Sequence, residues 1–337
     1  YKHHFFYTPL SPYPKATIDS FSTFFRESLI VNPSNFDSVR NELKLIVFGN
    51  SLLPSRLPDS VGIVTDERYG NLLSLQKIEK FKIKLEHGFI SIGYIFHPKK
   101  SNNRLIIYHR GHGGDFILGK KEIDVFLDRG YTVYAFSMPL LGFNNQPKIH
   151  IPKLGTINFS SNHDFFRFLP NPLSYYLTPV ISMINYASTK SFKSVSAVGF
   201  SGGGWVVTIA AAMDERINYS FPIAATYPMA IRFLRPEKNY GDFEQVYQPL
   251  FSKLDYTDLY VLGAVGKDRC QIQIFNLNDP CCFDGYEYQF YDEVLKSEVK
   301  KYMFGDFRIF SDSTNYDHSI SSFSLNLILN TIGSKSK

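Results

Sequence analysis

From Ile78 onward the chain settles into short apolar runs separated by amphipathic stretches. Phe81-Lys82-Ile83-Lys84-Leu85 alternates apolar with polar, His87-Gly88 supplies a turn, and Ile90–Phe96 alternates again, which predicts a β-hairpin. Leu105–Tyr108 is apolar at every position, the pattern of a strand buried on both faces. A helix is predicted from about Gly119 to Arg129, closed by Gly130 in the usual C-terminal position. Tyr131–Phe136, Val195–Phe200, Ile217–Ile223, Gln271–Phe275 and Phe307–Phe310 read as further strands, with Trp205–Met213 and Ile320–Ile332 as helices. Strands alternating with helices at this spacing predict an α/β fold, a mostly parallel, doubly wound sheet with helices on both faces.

Ahead of this rhythm, Ile18–Val31 sets Phe21, Phe24, Phe25, Ser28 and Leu29 three and four residues apart, as a helix would. Asn35 and Asp37 are candidate caps for a second helix running to Leu45 or Val47. Pro54, Pro58 and Gly62 then punctuate a loop. Residues 1–75 are therefore expected to form a helical extension packed on a main domain, 76–337. Two stretches, at about 142–178 and 229–260, break the alternation with prolines and aromatics that follow no clear period. Both leave the carboxyl ends of strands, where open α/β sheets bind ligands, so they are predicted to be cap inserts over a pocket. Their aromatic content suits an acyl chain or aromatic group, and Arg110, Arg167 and Arg232 are cations that could hold an anionic one.

Composition narrows the picture. The chain has 337 residues, 44% hydrophobic and 20% charged, enough for a substantial core. No stretch approaches the about eighteen consecutive apolar residues of a membrane helix. The formal charge of +5 comes from 36 basic and 31 acidic residues, and the lysines are scattered, which argues against a nucleic-acid partner. Three cysteines, Cys270, Cys281 and Cys282, cannot supply a disulfide framework. Adjacent cysteines lack the spacer that structural zinc sites use, and His109 with His112 lack a clear third ligand, so no metal is expected. The first residue is Tyr1, which a cleaved export signal or a shortened chain would each explain; compartment and oligomeric state stay undetermined.

The candidate chemistry centres on Gly199-Phe200-Ser201-Gly202-Gly203, a G-x-S-x-G pattern between an apolar strand and an apolar helix. The pattern resembles the nucleophile elbow of the α/β-hydrolases, in which a strained turn lifts a serine hydroxyl above the sheet. A serine needs a base to take its proton, and the base needs an orienting partner. In that family the acid and then the histidine follow the serine. Gln271–Phe275 leads into Asn278-Asp279-Pro280, and Phe307–Phe310 into Asp317-His318, so Asp279 and His318 occupy those places. Asp284 is the alternative acid. An oxyanion hole is expected from the backbone N–H of Gly202 together with that of His112 or Gly113, in the loop Arg110–Gly114.

Residues 76–332 as a whole resemble the α/β-hydrolase family. The matching parts are the hairpin Phe81–Phe96, the loop His109-Arg110-Gly111-His112-Gly113-Gly114, the exit Pro139-Leu140-Leu141-Gly142 and the three motifs above. Asp258-Leu259-Tyr260-Val261-Leu262-Gly263-Ala264 resembles the acetyl xylan esterase and dienelactone-hydrolase-like branch. The resemblance implies a carboxylic ester substrate, of acetyl or another short acyl group, an acyl-serine intermediate and no cofactor. Arg110-Gly111 departs from the family's usual His-Gly, which makes Arg110 a candidate substrate contact or a brace for the loop. A peptidase or acyltransferase using the same triad, or a non-catalytic binding protein of the same fold, are the competing readings.

Overall fold

The computed structural model describes residues 12–333; residues 1–11 and 334–337, at the outer ends of the predicted extension and main domain, lie outside it. Nine strands form one sheet: β1 (Ser60–Val64), β2 (Leu75–Lys84), β3 (Ile90–Pro98), β4 (Leu105–His109), β5 (Thr132–Phe136), then, beyond a separate two-stranded hairpin of β6 (Lys148–Ile151) and β7 (Gly155–Asn158), β8 (Val195–Phe200), β9 (Tyr219–Ile223), β10 (Cys270–Asn276) and β11 (Phe307–Asp312). Their order is β1-β2-β3-β5-β4-β8-β9-β10-β11. β1, β2, β3 and β5 pair antiparallel in turn, and every pairing from β5 to β11 is parallel. The chain moves outward from β4 to β5 and then returns across β4 to β8, so the strand order reverses there. Crevices at such reversals lie beyond the carboxyl ends of the strands.

The helices are α1 (Lys15–Ser28), α2 (Phe36–Phe48), α3 (Lys120–Asp128), α4 (Ser174–Ser188), α5 (Gly202–Met213), the short α6 (Met229–Arg232), α7 (Pro236–Asn239) and α8 (Gln248–Phe251), then α9 (Tyr256–Ala264), α10 (Asp292–Val299) and α11 (Ser322–Gly333). Alternate residues of the sheet feed two cores, as a two-residue period requires. Leu105 and Ile107 of β4 face the core shared with α2, α4, α5, α9 and α10, while Ile106 and Tyr108 face the one shared with α3 and α11. The helices α1 and α2 are tied to the first of these layers. Asp258 accepts the Ile30 and Val31 N–H groups at 2.8 and 2.9 Å. Buried Arg40 donates to the carbonyls of Ala212 and Leu262, near the ends of α5 and α9, at 3.1 and 3.2 Å.

Three local expectations are corrected. Gly62, read as loop, lies in edge strand β1, whose exposed apolar positions hide its alternation. The first insert is not wholly irregular: it contains the β6–β7 hairpin, and α4 begins at Ser174, inside the predicted range. Pro179 lies within α4, and a proline disfavours helix at the preceding residue, so the sequence signal stops at Thr178. Likewise α9 starts at Tyr256, within the second predicted insert, behind an Asp255–Asp258 capping box.

Candidate active site

β8 runs directly into Ser201, and α5 begins at the next residue. Ser201 has φ 55° and ψ −129°, a region that a β-carbon makes costly, on the order of 1–3 kcal/mol. The turn is held by Ser201 N–H donating to Ile223 O at 2.9 Å and by Ser201 O accepting from Gly204 N–H at 2.8 Å. The flanking glycines are there for space. A β-carbon on residue 199 would sit 2.2 Å from Gly203 O, and one on residue 203 would sit 2.1 Å from His109 O. Helix and strands approach too closely for either.

Asp279 leaves the end of β10, fully buried, and His318 leaves the end of β11, partly exposed. The Asp279 carboxylate meets His318 Nδ1 at 2.9 and 3.0 Å. It also accepts the Cys281 and Cys282 N–H groups at 2.9 and 3.3 Å and the Asn276 amide at 3.2 Å. Asn276 donates in addition to Ser319 O at 3.0 Å, which joins the acid loop to the histidine loop. The imidazole packs on the ring of Phe200, the neighbour of Ser201, with centroids 4.6 Å apart. Among the described residues no hydrogen bond joins Ser201 Oγ to His318. Asp284, the alternative acid, is elsewhere occupied, paired with Arg235 at 2.9 Å and Lys238 at 2.8 Å.

The loop after β4 seats on the elbow: a β-carbon on Gly111 would lie 2.7 Å from Ser201 Cβ, and one on Gly202 would lie 2.4 Å from the His112 ring. His112 is in turn clamped from the second insert. Its Nε2 meets buried Glu244 at 2.8 Å and its Nδ1 meets Asp242 at 3.2 Å. Glu244 also accepts the Tyr176 hydroxyl at 3.3 Å and lies 3.8 Å from His163 Nδ1. Burial lowers the His112 pKa, but the two carboxylates outweigh it and the net shift is upward. Burial raises that of Glu244, but His112 and His163 outweigh it and the net shift is downward. His163, dominated by burial, is shifted down.

This pair has a pH signature. The His112 contribution is complete below its ordinary value of 6.5 and is lost as pH rises through the raised folded value. The Glu244 contribution is present above its ordinary value of 4.5 and is lost as pH falls through the lowered one. Glu244→Gln is therefore expected to lower stability by about 2 kcal/mol near pH 6, as charged hydrogen bonds do, and by less near pH 9. Urea midpoints at the two pH values measure it; an equal deficit at both would rule out an ion pair.

Of the predicted cations, Arg110 and Arg232 are taken up by packing, whereas Arg167 lines a cleft. Arg110 sits over the Phe200 ring at 4.8 Å, with a buried Nε, on the face of that ring's own core. Arg232 is fully buried and donates to Tyr227 O and Tyr240 O at 2.9 and 2.8 Å, bracing the second insert. Arg167 is exposed, bonded to Asp164 at 2.6 Å and stacked over Phe243 at 4.9 Å. The two inserts meet in a cleft lined by Asn162, His163, Arg167, Tyr240, Asp242 and Phe243. His109 does not join His112; its ring stacks on Phe136 and its Nδ1 faces Arg110 O at 2.8 Å, with burial pulling its pKa down to about 4. Glu244, Asp242, His163 and Lys238, whose ammonium donates to Asp279 O at 3.1 Å, escaped the sequence reading because they are brought in from irregular or distant segments with no periodic signal. Asn276, at the end of β10, escaped it because nothing local marks its amide as a bridge between two loops.

No family model matches the sequence, and no curated protein matches it in a sequence comparison. Structures do match. The chain is similar to the acetyl xylan esterase from Paenibacillus sp. R4, with a TM-score of 0.62 at 15% identity over 96% of this chain and 99% of that one. It is similar to acetyl xylan esterase 1 from Thermoanaerobacterium sp. JW/SL YS485, with a TM-score of 0.59 at 14% identity over 97% and 100% of the two chains. The Pyrococcus furiosus esterase Pf2001 matches with a TM-score of 0.50 at 13% identity over 83% and 96%. The fold is that of the α/β-hydrolases, as the elbow and strand pattern led us to expect.

Proposed function

We propose that this chain hydrolyses carboxylic esters through an acyl-serine intermediate, with Ser201 as nucleophile, His318 as base and Asp279 as orienting acid. One observation supports this most: a buried carboxylate holds Nδ1 of an imidazole that packs on Phe200, the residue before a serine in elbow geometry. With Nδ1–H donated to Asp279, Nε2 keeps its lone pair and can take the Ser201 proton as Oγ attacks the ester carbonyl. Serine–histidine hydrogen bonds are often long without substrate and tighten in the complex. The developing oxyanion would receive the Gly202 N–H and that of His112 or Gly113, each such donor being worth about 3 kcal/mol of barrier. The imidazolium then protonates the departing alcohol, and water, activated by the same imidazole, releases the acid.

His112 acts in this reading as a positioning residue: Glu244 and Asp242 hold its ring against Gly202, and so hold the loop that faces the carbonyl oxygen. The proposed acyl group is acetyl or another short acyl, in keeping with two structural neighbours that are acetyl xylan esterases. Arg110 is assigned to bracing, because its guanidinium stacks on Phe200. A fluorophosphonate probe tests the assignment. It is expected to modify one residue, Ser201, and to leave Ser201→Ala untouched; modification at another serine with turnover retained in Ser201→Ala would overturn it.

A further inference from the structure

The loop that carries Asp279 also carries the adjacent Cys281 and Cys282. Cys281 is exposed and Cys282 partly so, whereas Cys270 is buried in β10. One ligand atom each from Cys281, Cys282 and His318 fall within 4.8 Å of one another. The loop is anchored, since both cysteine N–H groups donate to Asp279 Oδ1 and Phe283 N–H donates to Asn239 Oδ1 at 2.9 Å. We propose that Cys281, Cys282 and His318 form a binding site for one thiophilic divalent cation of the zinc and cadmium class, and that its occupation stops turnover at Ser201.

Two sulfurs and an imidazole are the donors such an ion prefers, and three ligands leave the open fourth position that non-structural sites keep. Adjacent cysteines suit this open arrangement better than a closed tetrahedral one. Metal-bound histidines typically donate their other ring N–H to a carboxylate, which fixes the tautomer; Asp279 on His318 Nδ1 is placed to do so. On binding, each thiol gives its proton to solvent and the sulfur takes the metal. A metal at Nε2 occupies the lone pair that Ser201 needs, and one at Nδ1 displaces Asp279. Either way the base is lost while the ion stays, and a chelator restores it. The second cluster of possible ligands, His112, His163 and Glu244, contains no sulfur and is already closed by the direct His112–Glu244 contact.

The metal site stands on the ligand geometry alone; the loss of turnover rests on the role given above to His318. The test titrates Cd2+ into the full chain while following both thiolate-to-cadmium ultraviolet absorption and turnover of a short-chain p-nitrophenyl ester. The expected result is one Cd2+ per chain, a thiolate band, a parallel loss of turnover and recovery with EDTA. Cys270→Ser should behave like wild type. Cys281→Ser and Cys282→Ser should each lose a large part of the band, bind Cd2+ more weakly and, relative to its own metal-free rate, resist inhibition. His318→Ala should keep a band and bind at least about 10-fold more weakly, the size of effect that even an outer partner of a metal ligand has. Uptake without a thiolate band, or a full band in Cys281→Ser/Cys282→Ser, overturns the site. A band that depends on both cysteines but leaves turnover intact supports the site and overturns the role of His318.

Discussion

Ser201→Ala and His318→Ala are each expected to lower ester turnover by about 10^4-fold or more, with the double variant little worse than either alone. Residues that act as one unit lose their function together, so their effects do not multiply. Each tenfold is 1.36 kcal/mol of barrier, so about 10^4-fold corresponds to about 5 kcal/mol. What survives would come from the proposed oxyanion donors and substrate binding, which these substitutions leave in place. Asp279→Asn should cost less than either, because the imidazole remains and only its orientation and charge partner change. Asp284→Asn should affect turnover far less than Asp279→Asn, since its carboxylate is held by Arg235 and Lys238. Initial rates on a p-nitrophenyl short-chain ester decide the matter. Losses that multiply in the double variant would mean that Ser201 and His318 do not work together, and a larger loss in Asp284→Asn would reassign the acid.

The second large effect is on folding. In Gly203→Ala the new methyl would sit 2.1 Å from His109 O and 2.6 Å from His109 C, both main-chain atoms that no rotamer change can move. Relief requires α5 to back away from β4, which opens both the elbow and the core beneath it. Overpacking of this kind costs about 3 kcal/mol at the upper end of its usual range, and a clash with backbone belongs there or beyond. Gly113→Ala is the internal control: its β-carbon meets nothing within 4 Å, so stability should stay within about 0.5 kcal/mol of wild type. Urea unfolding of the two variants measures the contrast. Equal midpoints would show that the close approach at the elbow is not a constraint.

The legible parts of the chain were those whose signal is local. β4, β8 and the elbow could be read because an apolar strand, a serine between glycines and an apolar helix are contiguous in sequence. Asp279 and His318 could be placed because each follows a strand by a few residues. Asp279 was preferred to Asp284 because it follows its strand sooner, but its contact with the imidazole needed coordinates, as did the pairing of Asp284 with Arg235 and Lys238. The second insert was illegible for a different reason. Arg232 looks like a surface cation in sequence, yet the rings of Tyr256 and Phe283 and the carbonyls of Tyr227 and Tyr240 enclose it, and it is completely buried. Glu244 pairs with a histidine 132 residues earlier, and no periodicity records such a contact. Edge strand β1 and helix α4 were obscured by exposed apolar side chains and by Pro179.

The second insert reaches two places at once. Glu244 holds the ring of His112, and six residues earlier Lys238 holds the carbonyl of Asp279 while Asn239 holds the next loop residues. A segment wired in this way is not an exchangeable module. Grafting a foreign segment over residues 229–251 would remove the supports of both the His112 loop and the Asp279 loop, so on the proposed function any new selectivity would come with a loosened site. On the proposed function, variation that keeps Lys238, Asn239, Asp242 and Glu244 and changes only outward residues around them, such as Phe233 and Tyr240, is the route by which this scaffold would drift towards new substrates without stalling.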